Sequence, residues 1–190
     1  MRNRDIARRY RKALLALTAF YQLLPMRLRR FLLLYAESTK GLRGKVVRYC
    51  LVKSIAKSCG DNVLIERGVY LLSPEEMEIG NNVSIHPMCY IEAKGGLVIG
   101  NDVSIAHGVT IMTTTHIYDK TDIPIKDQGS VANNVVIKDN VWIGAKATLL
   151  CGITVNQGAI VGAGAVVTKT IPANAVVAGV PARIIKMRTQ

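Results

Sequence analysis

A mainly β fold of short, stacked strands is what this chain predicts, and three observations predict it. Apolar anchors recur at a step of six: Cys59, Ile65, Leu71; Ile79, Ile85, Ile91; Ile99, Ile105, Ile111, Ile117; then Ile137, Ile143, Leu149, Val155, Val161 and Val167. The residue four places after an anchor is small or branched, as at Val83, Cys89, Gly95, Val103, Val109, Thr115, Val141, Ala147, Ile153, Ala159, Ala165 and Ile171. Composition agrees: 49% of residues are hydrophobic but only 5% are aromatic, which suits a core of branched aliphatics and tight corners. Neither the 3.6-residue period of a helix nor the two-residue period of a half-buried strand gives a step of six.

The physical reading is a side of six residues holding one short strand and one corner. Three sides close a coil of about 18 residues, and a coil cannot bury its face alone, so coils must stack. Between the first runs the step is eight, which puts Cys59, Ile79 and Ile99 twenty residues apart. Glycine often follows the anchor, as at Gly60, Gly80, Gly100, Gly144 and Gly162.

Residues 1–57 read differently. Ile6, Tyr10, Leu14, Leu17, Tyr21, Leu24, Leu28, Phe31 and Tyr35 recur at three and four, one apolar face at a helical period. Pro25 predicts a split into two helices, with Pro25 in the first turn of the second. A break at Lys40–Gly44 precedes a third, basic helix over Lys45–Lys57. The net charge of +12 is concentrated here, with 15 Lys and Arg against Asp5 and Glu37 in residues 1–57. Residues 58–190 carry 10 Lys and Arg against 11 acidic residues, so no nucleic-acid-binding surface is expected on the coils. Two readings of the segment stay open: a helical cap on the coils, or an amphipathic helix pair on an anionic membrane.

Cys50, Cys59, Cys89 and Cys151 form no C-x-x-C pair and no dense framework, which predicts reduced, mostly buried thiols and a cytoplasmic protein. The basic start and the apolar run Ala13–Leu24 lack a small-x-small cleavage site, and the run is short of the roughly 20 residues of a spanning helix. The expected location is therefore the cytoplasm, with the inner face of the membrane as the place where a basic helix pair would dock.

The repeat breaks between Ile117 and Ile137, predicting a loop over residues 118–134 ejected from a rigid scaffold. His116 stands at its root, in Thr113-Thr114-Thr115-His116. A lone imidazole at the root of such a loop is suited to work as a general base.

Three stretches carry a family resemblance: Asp139-Asn140-Val141-Trp142-Ile143-Gly144-Ala145-Lys146-Ala147-Thr148, Gly162-Ala163-Gly164-Ala165-Val166-Val167-Thr168-Lys169, and Ala178-Gly179-Val180-Pro181-Ala182-Arg183. With the repeats, they make residues 59–188 resemble the hexapeptide-repeat acyltransferases, nearest to galactoside, maltose and serine O-acetyltransferases and to those that acetylate capsular or lipopolysaccharide sugars. The resemblance implies a left-handed parallel β-helix of hexapeptide repeats with an N-terminal α-helical segment, a homotrimer with active sites between subunits, and acetyl-CoA as co-substrate. It implies that His116 is the catalytic base. It places Trp142 beside the thioester end of the donor, Ala145 and Ala163 along the pantetheine arm, and Thr168, Lys169, Arg183 and Lys186 at the phosphate and adenine end. The acceptor would be a sugar or polysaccharide, met by His86, Glu92 and Asp119. The family's acceptor-binding asparagine and aspartate correspond to His86 and Lys94, so the usual acceptor residues are replaced. Glu92 or a main-chain carbonyl is the candidate to orient His116.

No metal is expected. The zinc-dependent carbonic anhydrases of this fold need three converging histidines, and His86, His107 and His116 lack that spacing. An N-acyltransferase acting on an amino sugar and a non-catalytic β-helix scaffold are the alternatives.

Overall fold

The structure is a computed structural model and describes residues 10–189. Ile6 and the basic residues before Tyr10 lie outside it. The hexads become short strands: β1 (Ser58–Cys59), β2 (Leu64–Ile65) and β3 (Tyr70–Leu72) form the first coil, and β4 (Met77–Ile79), β5 (Ser84–Ile85) and β6 (Tyr90–Glu92) the second. The third holds β7 (Leu97–Ile99), β8 (Ser104–Ile105) and β9 (Thr110–Ile111). A hairpin of β10 (Thr114–His116) and β11 (Ser130–Ala132) then interrupts. The fourth coil is β12 (Val135–Ile137), β13 (Trp142–Ile143) and β14 (Thr148–Leu149), and the fifth β15 (Thr154–Val155), β16 (Ile160–Val161) and β17 (Val166–Val167). β18 (Ala175–Ala178) closes a sixth turn, and β19 (Arg183–Met187) folds back antiparallel on it.

The strands form three parallel sides: β1-β4-β7-β12-β15, then β2-β5-β8-β13-β16-β18, then β3-β6-β9-β14-β17. This is the mainly β parallel solenoid with an N-terminal helical segment that the repeats require, in agreement with a left-handed β-helix. The anchors stack in register, as in Ile65, Ile85, Ile105, Ile143, Val161 and Val177 on the second side. Each buried aliphatic contributes about 1.5–3 kcal/mol relative to exposure.

A polar ladder runs beside this core at the corner between the first and second sides. The Asp61 N–H donates to Asn81 Oδ1 at 2.8 Å, the Asn81 N–H to Asn101 Oδ1 at 2.9 Å, and the Asn101 N–H to Asp139 Oδ1 at 2.6 Å. The next residues, Asn62, Asn82, Asp102 and Asn140, hold φ of 56–58°, which Asn and Asp tolerate best among residues with a Cβ. Gly80 precedes the ladder because a Cβ there would lie 2.6 Å from the Gly100 carbonyl oxygen of the next coil.

Three repeat positions differ from expectation. Ile117 and Thr115 do not enter the core; the chain leaves the coil after buried Thr113, and Ile137 stacks on Ile99 instead. Gly95 lies at a corner, and the two extra residues of that coil bring Leu97 into the inward slot.

Among the described residues three helices cover the first coil: α1 (Arg11–Gln22), α2 (Met26–Ala36) and α3 (Gly41–Ile55). Pro25 is the N-cap of α2, just outside its first turn. The third helix starts a turn earlier than expected because Gly44 lets it press on the preceding loop; a Cβ there would lie 2.2 Å from the Thr39 carbonyl oxygen. The apolar positions do not form one face. Leu14, Leu17 and Tyr21 pack inward against the core, whereas Phe31 and Tyr35 point out, 63% and 78% exposed, because α2 buries Leu33 and Ala36 instead.

Cations of the helices are spent on the coil. Five ion pairs among the described residues, Arg11–Asp61, Arg30–Glu75, Lys45–Glu66, Lys53–Asp61 and Lys57–Glu76, tie the helices to acidic groups of the first coil and its 3-10 turn. Arg48 is buried, and its guanidinium donates to the carbonyls of Ile65, Ala36 and Thr39 at 2.8–2.9 Å. The cap of the two open readings is thus present as packed structure. No helix among the described residues is long and apolar enough to cross a membrane.

Candidate active site

The root of the hairpin is built on Glu92, the last residue of β6. Its Oε2 accepts from the Thr113 N–H at 3.0 Å and from the Thr113 and Thr114 hydroxyls at 3.1 Å, while Oε1 accepts from the Lys94 N–H at 2.6 Å. Burial pushes this carboxyl up, but the hydrogen bonds from Lys94, Thr113 and Thr114 outweigh it, and the group titrates below the ordinary carboxylate range. Thr113 Oγ1 also accepts from the Gly95 N–H at 2.8 Å, and the Thr113 carbonyl takes the Asn133 N–H of the returning leg at 2.8 Å.

His116 ends β10, exposed, directly across from Ser130. Beyond it the loop carrying exposed Asp119 is braced by Gln128, whose amide bonds to both the N–H and the carbonyl of Lys120 and to the Ile123 carbonyl at 2.8–3.0 Å. Glu92 makes no hydrogen bond to His116. Three donors of the hairpin root converge on its Oε2, and its Oε1 takes the N–H of Lys94 two residues along its own chain.

A second set lies on the edge between the second and third sides. Equivalent corner positions there read Pro87, His107, Ala145 and Ala163, linked by Gly108 N–H to Pro87 O, Lys146 N–H to His107 O and Gly164 N–H to Ala145 O at 2.8–3.0 Å. Among the described residues the Ala145 and Ala163 amides have no hydrogen-bond acceptor, and both residues have solvent access. Two unpartnered donors therefore lie at equivalent positions of one edge, with small side chains beside them. Half-buried His86 directly precedes Pro87 at the same edge, two coils before Ala145. Trp142 opens β13 on the adjoining side, 53% exposed between Ser104 and Ile160. Lys146 holds φ 57° where its neighbours along the edge are Gly108 and Gly164.

Thr168 and Lys169 are exposed at the other edge of the third side, two coils beyond the hairpin root. Arg183 and Lys186 lie on exposed β19, against Ala178 and Val176. The structure thus brings Trp142, Ala145 and Ala163 together on one edge and puts the His116 hairpin, Thr168 and Lys169 on another, with the width of the third side between. Thr113, Gln128 and Asn133 hold the hairpin but carry no motif; the excess of Thr before His116 was the signal for the first.

An apolar depression of about 360 Å³ lies far from both edges, between α1, α3 and the first coil, lined by Leu14, Leu17, Val46, Tyr49 and Val63 among others. It belongs to the cap packing and holds no chemistry-bearing cluster. Burial pushes the thiols of Cys50, Cys59 and Cys89 up, that of Cys59 to about 12, so these remain unreactive. No group of three or more His, Cys, Asp or Glu among the described residues is placed to hold a metal ion.

Residues 134–169 match the family described as bacterial transferase hexapeptide (six repeats). Over 162 residues the chain is 30% identical to galactoside O-acetyltransferase of Escherichia coli (strain K12), covering 77% of this chain and 78% of that enzyme. A stretch of 59 residues is 54% identical to 2,3,4,5-tetrahydropyridine-2,6-dicarboxylate N-acetyltransferase of Staphylococcus aureus (strain JH9), 31% of this chain and 25% of that one. The solved structure of a galactoside acetyltransferase in complex with coenzyme A matches with a TM-score of 0.69 at 27% identity, over 85% of this chain and 80% of that chain.

Proposed function

Since the chain belongs to the hexapeptide-repeat acetyltransferases, enzymes that use acetyl-CoA, we propose that it transfers an acetyl group from acetyl-CoA to a hydroxyl of a sugar or surface-polysaccharide acceptor. The observation that carries this reading is an exposed imidazole on a braced hairpin, set into a rigid coil whose neighbouring edge offers two unpartnered amides.

In this reading His116 takes the proton of the acceptor hydroxyl as its oxygen attacks the thioester carbonyl. The C–S bond then breaks, and the protonated imidazole returns the proton to the leaving thiolate. The Ala145 N–H steadies the oxyanion, a role suited to a fixed backbone donor. Trp142 flanks the thioester, the Ala163 N–H holds the pantetheine arm, and Thr168, Lys169, Arg183 and Lys186 meet the phosphates, where cations and hydroxyls are the fitting donors. His86 and Asp119 face the acceptor. Because these residues occupy two edges of one protomer, a site that uses both is completed by a neighbouring copy, which supports a homotrimer.

The N-terminal cap adds a location. Leu28, Phe31, Leu34 and Tyr35 share the outward face of α2 with Arg27, at spacings of three and four. This face docks on anionic membrane, near lipid-linked or surface-glycan acceptors. Each cation near such a surface contributes about 1 kcal/mol and is screened by salt. The protein should float with phosphatidylglycerol vesicles at low salt and not with phosphatidylcholine; indifference to both would refute the docking.

Transfer to nitrogen is the second reading, favoured by the Staphylococcus aureus relative. Thiol release from acetyl-CoA, followed with galactosides and polysaccharides on one side and nucleotide-linked amino sugars on the other, separates the two. Alkali removes an O-acetyl ester and spares an N-acetyl amide. A chain that neither releases thiol with any acceptor nor binds acetyl-CoA in calorimetry would be a scaffold, and the proposal would fall.

A further inference from the structure

Glu92 and His116 are linked through three consecutive residues of one strand. Thr114 and His116 are two apart in β10, so their side chains share a face. The Thr114 hydroxyl is held by Glu92 Oε2 at 3.1 Å, and Thr113, fully buried just before it, gives the same oxygen its N–H and its hydroxyl. The returning leg is sutured to this point too, through the Asn133 N–H on the Thr113 carbonyl. Gly95 permits that crossing, since a Cβ there would lie 2.5 Å from the Thr113 carbonyl oxygen. A charged acceptor in the second coil therefore fixes where the hairpin leaves the third coil and which way the imidazole face of β10 is turned.

We infer that Glu92 is a positioning residue, which sets the orientation of His116 through Thr113 and Thr114 and does not contact the acceptor. The inference rests on the reading of His116 as the base. A neutral amide at this position cannot accept three donors on one oxygen with the strength of a carboxylate, because hydrogen bonds to a charged group are roughly twice as strong. The Thr114→Val change removes one of the three donors and keeps the β-branched shape.

Hydrogen exchange of the full chain tests it. Glu92→Gln should speed exchange of the amides over 114–116 and 130–132 by about ten-fold or more, as expected from losing bonds to a charged group. Amides of the β8 and β13 strands should keep their protection. Thr114→Val should give a smaller effect of the same pattern, and it decides the matter if the Gln variant fails to fold. With a β-galactoside as acceptor probe, kcat should fall about ten-fold while KM for the galactoside and for acetyl-CoA stays within about two-fold, the signature of a misaimed base. Unchanged exchange in the hairpin overturns the inference. So does a raised acceptor KM with exchange unaltered, which would make Glu92 an acceptor ligand. If the galactoside is not turned over, exchange alone decides. Full turnover by His116→Ala would remove the base assignment and leave the exchange result standing, so the two failures are distinguishable.

Discussion

The coils and the elements attached to them are stabilised in opposite ways. In the coils, each strand finds its partner in the equivalent residue of the next turn, so one set of rules is applied along the whole axis: anchor over anchor, Asn over Asn. The cap and the hairpin have no repeat to copy. None of the three helices has a side-chain N-cap or an acidic first turn, so they rest on tertiary contacts. Those contacts are individual: Arg48 on three carbonyls, Arg11 and Lys53 on Asp61, Glu92 on Thr113 and Thr114. Repetition makes a rigid body, and the departures from it are held by contacts made once each.

The sharpest break in this comparison is His116→Ala. Turnover should fall by roughly 10²–10⁴, as for loss of a general base, while acetyl-CoA affinity and the unfolding midpoint hold. Near-normal turnover would mean that the hairpin does not carry the base. Next is the coil itself: Ile143→Ala, in the middle of the stack, should cost about 2–5 kcal/mol in urea unfolding. A loss below about 1 kcal/mol would show that the coil relaxes into the cavity and is not a rigid body. Arg48→Met should cost about 1–3 kcal/mol for each carbonyl left without a partner, and the loss should appear as early release of the cap with the coils still folded. Cooperative unfolding of the whole chain would show cap and coils to be one unit.

Acid gives the smallest effect. The Asp61 carboxyl is held below its ordinary range by the hydrogen bond from Arg11, with Lys53 adding to it against the opposing effect of burial. Glu92 is lowered as well. Both groups bind their proton more weakly when folded, so their stabilisation is complete above the unfolded carboxylate range of about 3.9–4.3 and is lost as pH falls through the folded values. Hydrogen exchange between pH 5 and 2 should show cap and hairpin loosening before the aliphatic stack. Simultaneous loss of all three would contradict the division.

How much could be read beforehand follows the same division. The step of six put Ile65, Ile85, Ile105 and Ile143 on one side because every turn repeats the rule. It failed at Ile117, where a fourth residue happened to keep the spacing although the chain had already left the coil at Thr113. His116 could be singled out as the histidine at the break. Glu92 could be noticed, but its partners on the hairpin, the Thr113 amide and the Thr113 and Thr114 hydroxyls, come from 21 and 22 residues away, which no local spacing encodes. The helical period of residues 10–35 was legible, whereas its division into an inward face on α1 and an outward one on α2 was decided by which side of each helix met α3.

The asparagine ladder also makes the molecule a ruler. Asp61, Asn81 and Asn101 are equivalent positions twenty residues apart, so the distance from cap to hairpin is counted in whole rungs of about 4.8 Å. Excising residues 81–100 would join Gly80 to Asn101 in register and lower the hairpin toward the cap by a single rung, but would also remove Glu92 and Gly95 from its root. Where the cap rests on a surface, the reach of the hairpin above it can change only in such steps, and an acceptor's height above a bilayer would be matched by rung count rather than by continuous adjustment.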